Sequence, residues 1–151
     1  MAAASDATGA LRVGTPAEMA GAATRSHLPD GRCVGWFGPV PASGVAPAAA
    51  LDVEPPASLV ARHGRSGFWE RWTTVECAAK LCDVPVAMWV RRHGLAVPPG
   101  LLHARTVRPA GLAADGGPSV VVTVARRAGA NVRLRPADPA PTCASDRPTR
   151  R

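Results

Sequence analysis

The chain has 151 residues, room for one ordinary domain; Ala, Pro and Gly abound, Ile, Tyr and Gln are absent, and Lys80 is the single lysine beside seventeen arginines. Its formal net charge of +7 favours an acidic partner, nucleic acid above all. No apolar run approaches the ~20 residues that a bilayer-crossing helix needs, and MAAASDATGA has neither a charged leader region nor a long apolar run.

Much of the 46% hydrophobic content is Ala, which buries little area, so the expected core is thin. Sixteen prolines and fifteen glycines push further toward irregular structure. Charge is unevenly spread: residues 1–60 carry three Arg against five acids, residues 61–100 six bases against three, and residues 101–151 nine Arg against three acids. The four cysteines, at 33, 77, 82 and 143, form no CxxC pair, which together with the N-terminus suggests a reduced, cytoplasmic protein.

In chain order, residues 1–65 show no sustained period and read as a flexible Pro/Ala/Gly-rich arm. Pro39, Pro41, Pro47, Pro55 and Pro56 each remove a backbone donor and bias the preceding residue to extended backbone. One short helix is expected near Pro16 to Ala23, with Thr15 and Glu18 as its capping box. Trp36 and Phe37 stand as an isolated apolar pair, free to dock on a helical unit or to stay loose.

That helical unit is expected over residues 66–100. Phe68 and Trp72 share a helical face. Thr74 reads as an N-cap with Glu76 in the first turn, and Val75, Ala78, Ala79 and Cys82 form the apolar stripe of a short helix. Pro85 opens a second helix whose buried face is Val86, Trp89 and Val90, and Gly94 ends it before Pro98 and Pro99 forbid continuation.

Residues 101–151 read as a basic, low-order tail. SVVVTVA at 119–125 is β-branched and NVRLR at 131–135 alternates apolar with basic, so a hairpin over 119–135 is expected, its basic strands a weaker candidate for contacting RNA. The expected fold class is therefore mostly irregular, with a small all-α helix-turn-helix unit and a short β-hairpin near the C-terminus.

A helix-turn-helix needs a small residue on the first helix, a tight turn, an apolar residue after it and basic residues on the second helix. Ala79, Asp83, Val84 and the pair Arg91 and Arg92 fill those roles. The stretch FWERWTTVECAAKLCDVPVAMWVRRHGLAVPPG resembles the N-terminal helix-turn-helix region of insertion-sequence transposases from GC-rich bacteria. Phe68 and Trp69 match that pattern's opening pair, Ala78 and Ala79 its first helix, Val84 its post-turn core residue, and Pro85 and Val86 the start of its second helix. Trp89, Arg91, Gly94, Pro98 and Pro99 match the end and exit. Asp83 stands where the family has a turn glycine, and the second helix is a residue or two shorter.

The resemblance implies DNA binding by the second helix in the major groove, through Pro85, Val86, Met88, Arg91 and Arg92. Those transposases continue into a catalytic domain with three metal-binding carboxylates. Here only Asp115, Asp138 and Asp146 lie downstream, in Pro/Gly-rich context. The chain thus reads as a truncated or frame-shifted fragment, or as a small independent protein: non-catalytic, with DNA as partner and no metal, cofactor, membrane or small-molecule substrate. The alternative is a largely disordered orphan or degenerate-gene product without specific binding. Cys77 and Cys82 read as buried structural cysteines rather than as zinc ligands with His93 and His103, because their spacing splits them between helical faces.

Overall fold

The computed structural model describes residues 10–38, 45, 47–108 and 119–128. Its organising element is Val120–Arg127, which opens on five β-branched residues, four of them valine, that a chain this small can keep only by covering them on both sides. Two sheets and a helical layer do so. In chain order the elements are β1 (Ala10–Gly14), β2 (Thr24–His27), β3 (Cys33–Phe37), β4 (Ala48–Ala50), α1 (Ala57–His63), α2 (Phe68–Leu81), α3 (Val86–His93), β5 (Leu102–Val107) and β6 (Val120–Arg127).

The first sheet is antiparallel in the order β1-β3-β2, the second antiparallel in the order β4-β6-β5. Val120 and Val122 of β6 pack toward the first sheet, in a cluster with Leu28 and Val34 that Leu11, Val13 and Trp36 close. On the opposite face of β6 lies α2. There Thr123, fully buried, places its hydroxyl 2.7 Å from that of Thr73 on α2 and 2.7 Å from that of Thr106 on β5. Thr73 spends its one proton on the Glu70 carbonyl, so the chain of donation runs from Thr106 to Thr123 to Thr73 to Glu70. The Cys77 thiol adds a contact to the Thr123 carbonyl at 3.4 Å. A second apolar cluster lies within the helical layer, around Phe68, Val75, Ala78, Ala79 and Trp89.

A mixed α/β architecture thus replaces the expected mostly irregular chain with a small all-α unit. Thin hydrophobic content is offset by layering: β2, β3 and β4 each contribute buried residues, and β6 is buried on both faces. The segment read as a flexible arm, residues 1–65, contains β1 to β4 and α1 among its described residues. Near Thr15 the capping box forms, the Thr15 amide donating to Glu18 at 2.7 Å and the Glu18 amide to the Thr15 hydroxyl at 3.3 Å, but it closes turns over Pro16–Gly21, with no helix beyond them. Those turns cap the outer face of the first sheet, and the approach requires Gly35: a Cβ there would lie 2.8 Å from Met19 Sδ and 2.9 Å from the Ala22 Cβ. Trp36 and Phe37, read as an isolated pair, are part of β3, and Trp36 packs between the sheets rather than on the helices.

Near the C-terminus, β6 pairs with β5 and β4. The 131–135 strand of the expected 119–135 hairpin lies outside the described residues. Cys33 and Cys77 are buried free thiols, whereas Cys82 is disulfide-bonded, so the expectation of reduced cysteines does not hold for it. No helix among the described residues is long and apolar enough to cross a membrane.

The directed chain of hydroxyls makes a prediction about stability. T123V keeps the shape but removes the central donor and acceptor, and should destabilise the fold by about 1–2 kcal/mol, measured as a shift in urea midpoint. T106V, at an exposed position that water can serve, should cost less than about half as much. Equal midpoints for T123V and the parent would show that packing alone holds α2 on β6.

Candidate nucleic-acid interface

The α2 helix starts six residues before the expected Thr74 cap. Gly67, in the left-handed region at φ 55°, ψ 33°, occupies the cap, so Phe68, Trp69 and Trp72 belong to the first turns of the helix. Phe68 and Trp72 do share a face, with ring centroids 6.1 Å apart and planes 11° apart, and Trp69 meets Phe68 edge-on at 5.1 Å. Thr74 lies mid-helix and its hydroxyl donates back to the Glu70 carbonyl at 2.8 Å, the bond a helical threonine makes when it has no cap to serve. Arg71 fastens α1 to this helix, its guanidinium donating to the carbonyls of His63 and Gly64 at 2.7 Å each. The Trp69 indole donates to the Val53 carbonyl at 2.9 Å.

A Schellman turn ends α2. The Asp83 amide donates to the Lys80 carbonyl at 3.2 Å and the Val84 amide to the Ala79 carbonyl at 2.8 Å, the paired bonds that satisfy a helix's last carbonyls. That geometry requires a positive φ at Asp83, which has 54° and is the one non-glycine with positive φ among the described residues. Asp tolerates the region better than most side chains, so the turn forms where the resembling family has glycine.

From this turn α3 leaves with Pro85 as its cap rather than its first residue, the Pro85 carbonyl accepting from the amides of Met88 and Trp89. Trp89 anchors it: the side chain is fully buried and its indole donates to the Ala96 carbonyl at 3.0 Å, fixing the segment that follows Gly94. Gly94 ends the helix at φ 65°.

Of the residues expected to meet DNA, Val86 is half-buried and packs against the helical core, so it supports the helix instead of lining its outer face. Pro85, Met88, Arg91 and Arg92 are exposed. Met88, Arg91 and Arg92 fall at i, i+3 and i+4, on one face of α3, and Met88 is one of the few large apolar side chains left exposed, at 43%. Neither Arg91 nor Arg92 has a hydrogen-bond or ion-pair partner among the described residues. By contrast Arg65 pairs with Glu54, and Arg108 with Glu70, whose carboxyl that contact holds below its usual range.

Reading the sequence missed Arg62 and His63, which α1 brings beside Arg91 along one groove. No local signal marked them, because α1 has no buried residue of its own and directly follows Pro55 and Pro56. Burial, and then the neighbouring Glu76 carboxylate, push the Cys77 thiol up, away from the thiolate a nucleophile needs. No group of three or more His, Cys, Asp or Glu among the described residues is arranged to hold a metal ion.

No known protein family, curated protein or solved structure matches the chain.

The strained turn supplies its own test. D83G relieves the positive-φ penalty and should raise stability by up to about 1 kcal/mol, whereas D83V, β-branched at a left-handed position, should lower it by about 1–2 kcal/mol. Paired chemical denaturation curves check both, and a stabilising D83V would contradict the turn geometry.

Proposed function

We propose that the chain is a non-catalytic DNA-binding protein in which α2, the Asp83 turn and α3 form a helix-turn-helix, with α3 as the helix that meets DNA. The observation that carries this reading is the two-sided character of α3. One side is locked by the buried Trp89, and the other presents Met88, Arg91 and Arg92, with the two cations unpaired among the described residues. The net charge of +7 and the resemblance of Phe68–Gly100 to a transposase end-binding region support it.

The order of residues along α3 assigns roles. Eight residues span about 12 Å, comparable to the width of the major groove. Helices of this kind reach base edges with their N-terminal residues, which here are Pro85, Ala87 and Met88 on the exposed side. None of them offers a bidentate base contact, although Met88 and Ala87 suit thymine methyl groups. Arg91 and Arg92 sit in the last turn, where cations also offset the helix dipole, and their charge suits phosphates. Binding is therefore expected to be strongly salt-dependent and only modestly sequence-selective.

The test is the slope of log K against log salt for duplex DNA. Each lost phosphate contact flattens the slope by about 0.9, so R91A/R92A should flatten it by about 1.8 and weaken binding at low salt. Binding and slope identical to the parent would remove α3 from the interface and leave scattered arginine charge as the cause of any affinity.

A further inference from the structure

We infer that the groove between α1, α2 and α3 is a binding site for a small apolar carboxylate, such as a medium-chain aliphatic acid. The groove has a volume of about 570 Å³ and is walled by all three helices. This size lies in the range of small-molecule sites. Half-buried Leu59, Trp72 and Val90 supply an apolar lining that the helical core leaves unfilled. Around it stand Arg62, His63 and Arg91, and no acidic residue lines it among the described residues.

Charge selects the ligand. Arg62 and Arg91 are exposed, and neither has a hydrogen-bond or ion-pair partner among the described residues. Both occupy the last turns of their helices, where the dipole accounts for a basic residue but leaves the guanidinium donors free. A carboxylate matches the geometry of such guanidinium forks, and an alkyl chain is what the lining accepts. The walls are held in place. Arg71 ties the end of α1 to α2, Trp89 locks α3, and the His63 ring stands 3.3 Å from where a Cβ on Gly94 would be, so α1 and the end of α3 already touch at the groove.

Binding of such an acid does not depend on the DNA-binding reading. A consequence of it does: Arg91 would be shared, so an acid in the groove would take one of the two cations that α3 offers to phosphate.

Intrinsic tryptophan emission tests the site with octanoate and its uncharged counterpart 1-octanol on the full chain, because Trp72 lines the groove. Octanoate should give a saturable change, with 1-octanol binding about tenfold more weakly for want of charge-assisted hydrogen bonds. R62A, at an exposed position outside the proposed DNA face, should weaken octanoate about tenfold and leave 1-octanol unchanged. A second variant, A87E, places a carboxylate at an exposed groove position near the start of α3, where helices favour acids, and should abolish octanoate binding without unfolding the chain. No saturable change with octanoate, equal affinity for the alcohol, or unaltered octanoate affinity in R62A would each overturn the proposal, whatever the DNA measurements give.

Discussion

The fold depends on burying one strand twice. Strand β6 has valines at 120, 121, 122 and 124, and alternation sends them to both faces of its sheet, so neither face can meet water. One cover is the β1-β3-β2 sheet, the other is α2, and at about 25 cal/mol per Å² of apolar surface this double burial is a gain that a chain so poor in large side chains cannot forgo. Thr123 is the exception in the run. Its hydroxyl cannot be left bare at zero exposure, and the threonines it bonds, one on α2 and one on β5, fix the helix in register with the sheet.

Fixing α2 this way determines what α3 can do. With one side of α2 committed to the sheet, its other side, carrying Ala78, Ala79 and the Phe68–Trp72 stack, is left for α1 and α3. The Schellman turn at Asp83 sets how α3 departs and Trp89 sets how deeply it seats, so the outer face of α3 is placed by the same contacts that stabilise the core. A side chain on that face is under little packing constraint. Its chemistry is therefore open to be set by a partner, which is why unpaired arginines there carry more weight than arginines in a loop.

The helical unit was legible because its signals are local. The apolar stripe Val75, Ala78, Ala79 and Cys82 is buried as spacing predicts, Asp83 adopts the left-handed turn, Trp89 is core, and Gly94 stops α3. Errors at its edges came from competition between local rules: Thr74 has the composition of a cap, yet the aromatic pair packing on Phe68 extended the helix past it. The strands were illegible for the opposite reason. Ala48–Ala50 has no strand propensity, and it becomes β4 only because Val120–Val122 arrives seventy residues later to pair with it. β1 to β3 are four or five residues long, too short for a period to show, and their register is set by each other and by Gly35. Among the described residues, Pro16, Gly21, Pro29 and Gly31, which argued for an arm, lie in the turns and bends between these strands.

Residues after Gly100 belong to the same core as the helical unit: their most apolar stretch fits under α2, hydroxyl to hydroxyl, and meets the N-terminal sheet on its other side. Both surfaces of β6 are matched by segments that precede the helical unit or form it. The charge pattern points the same way. Arg32 pairs with Asp30, Arg65 with Glu54 and Arg108 with Glu70, while Arg71 caps α1 and Arg12 lies over the Phe37 ring, so much of the basic excess has structural work that an overall +7 does not reveal. What the fold leaves unused on its helices is narrower: Arg62, Arg91 and Arg92, at the ends of α1 and α3. Those three side chains and the surfaces they border, more than the net charge, are what the helical layer offers to a partner.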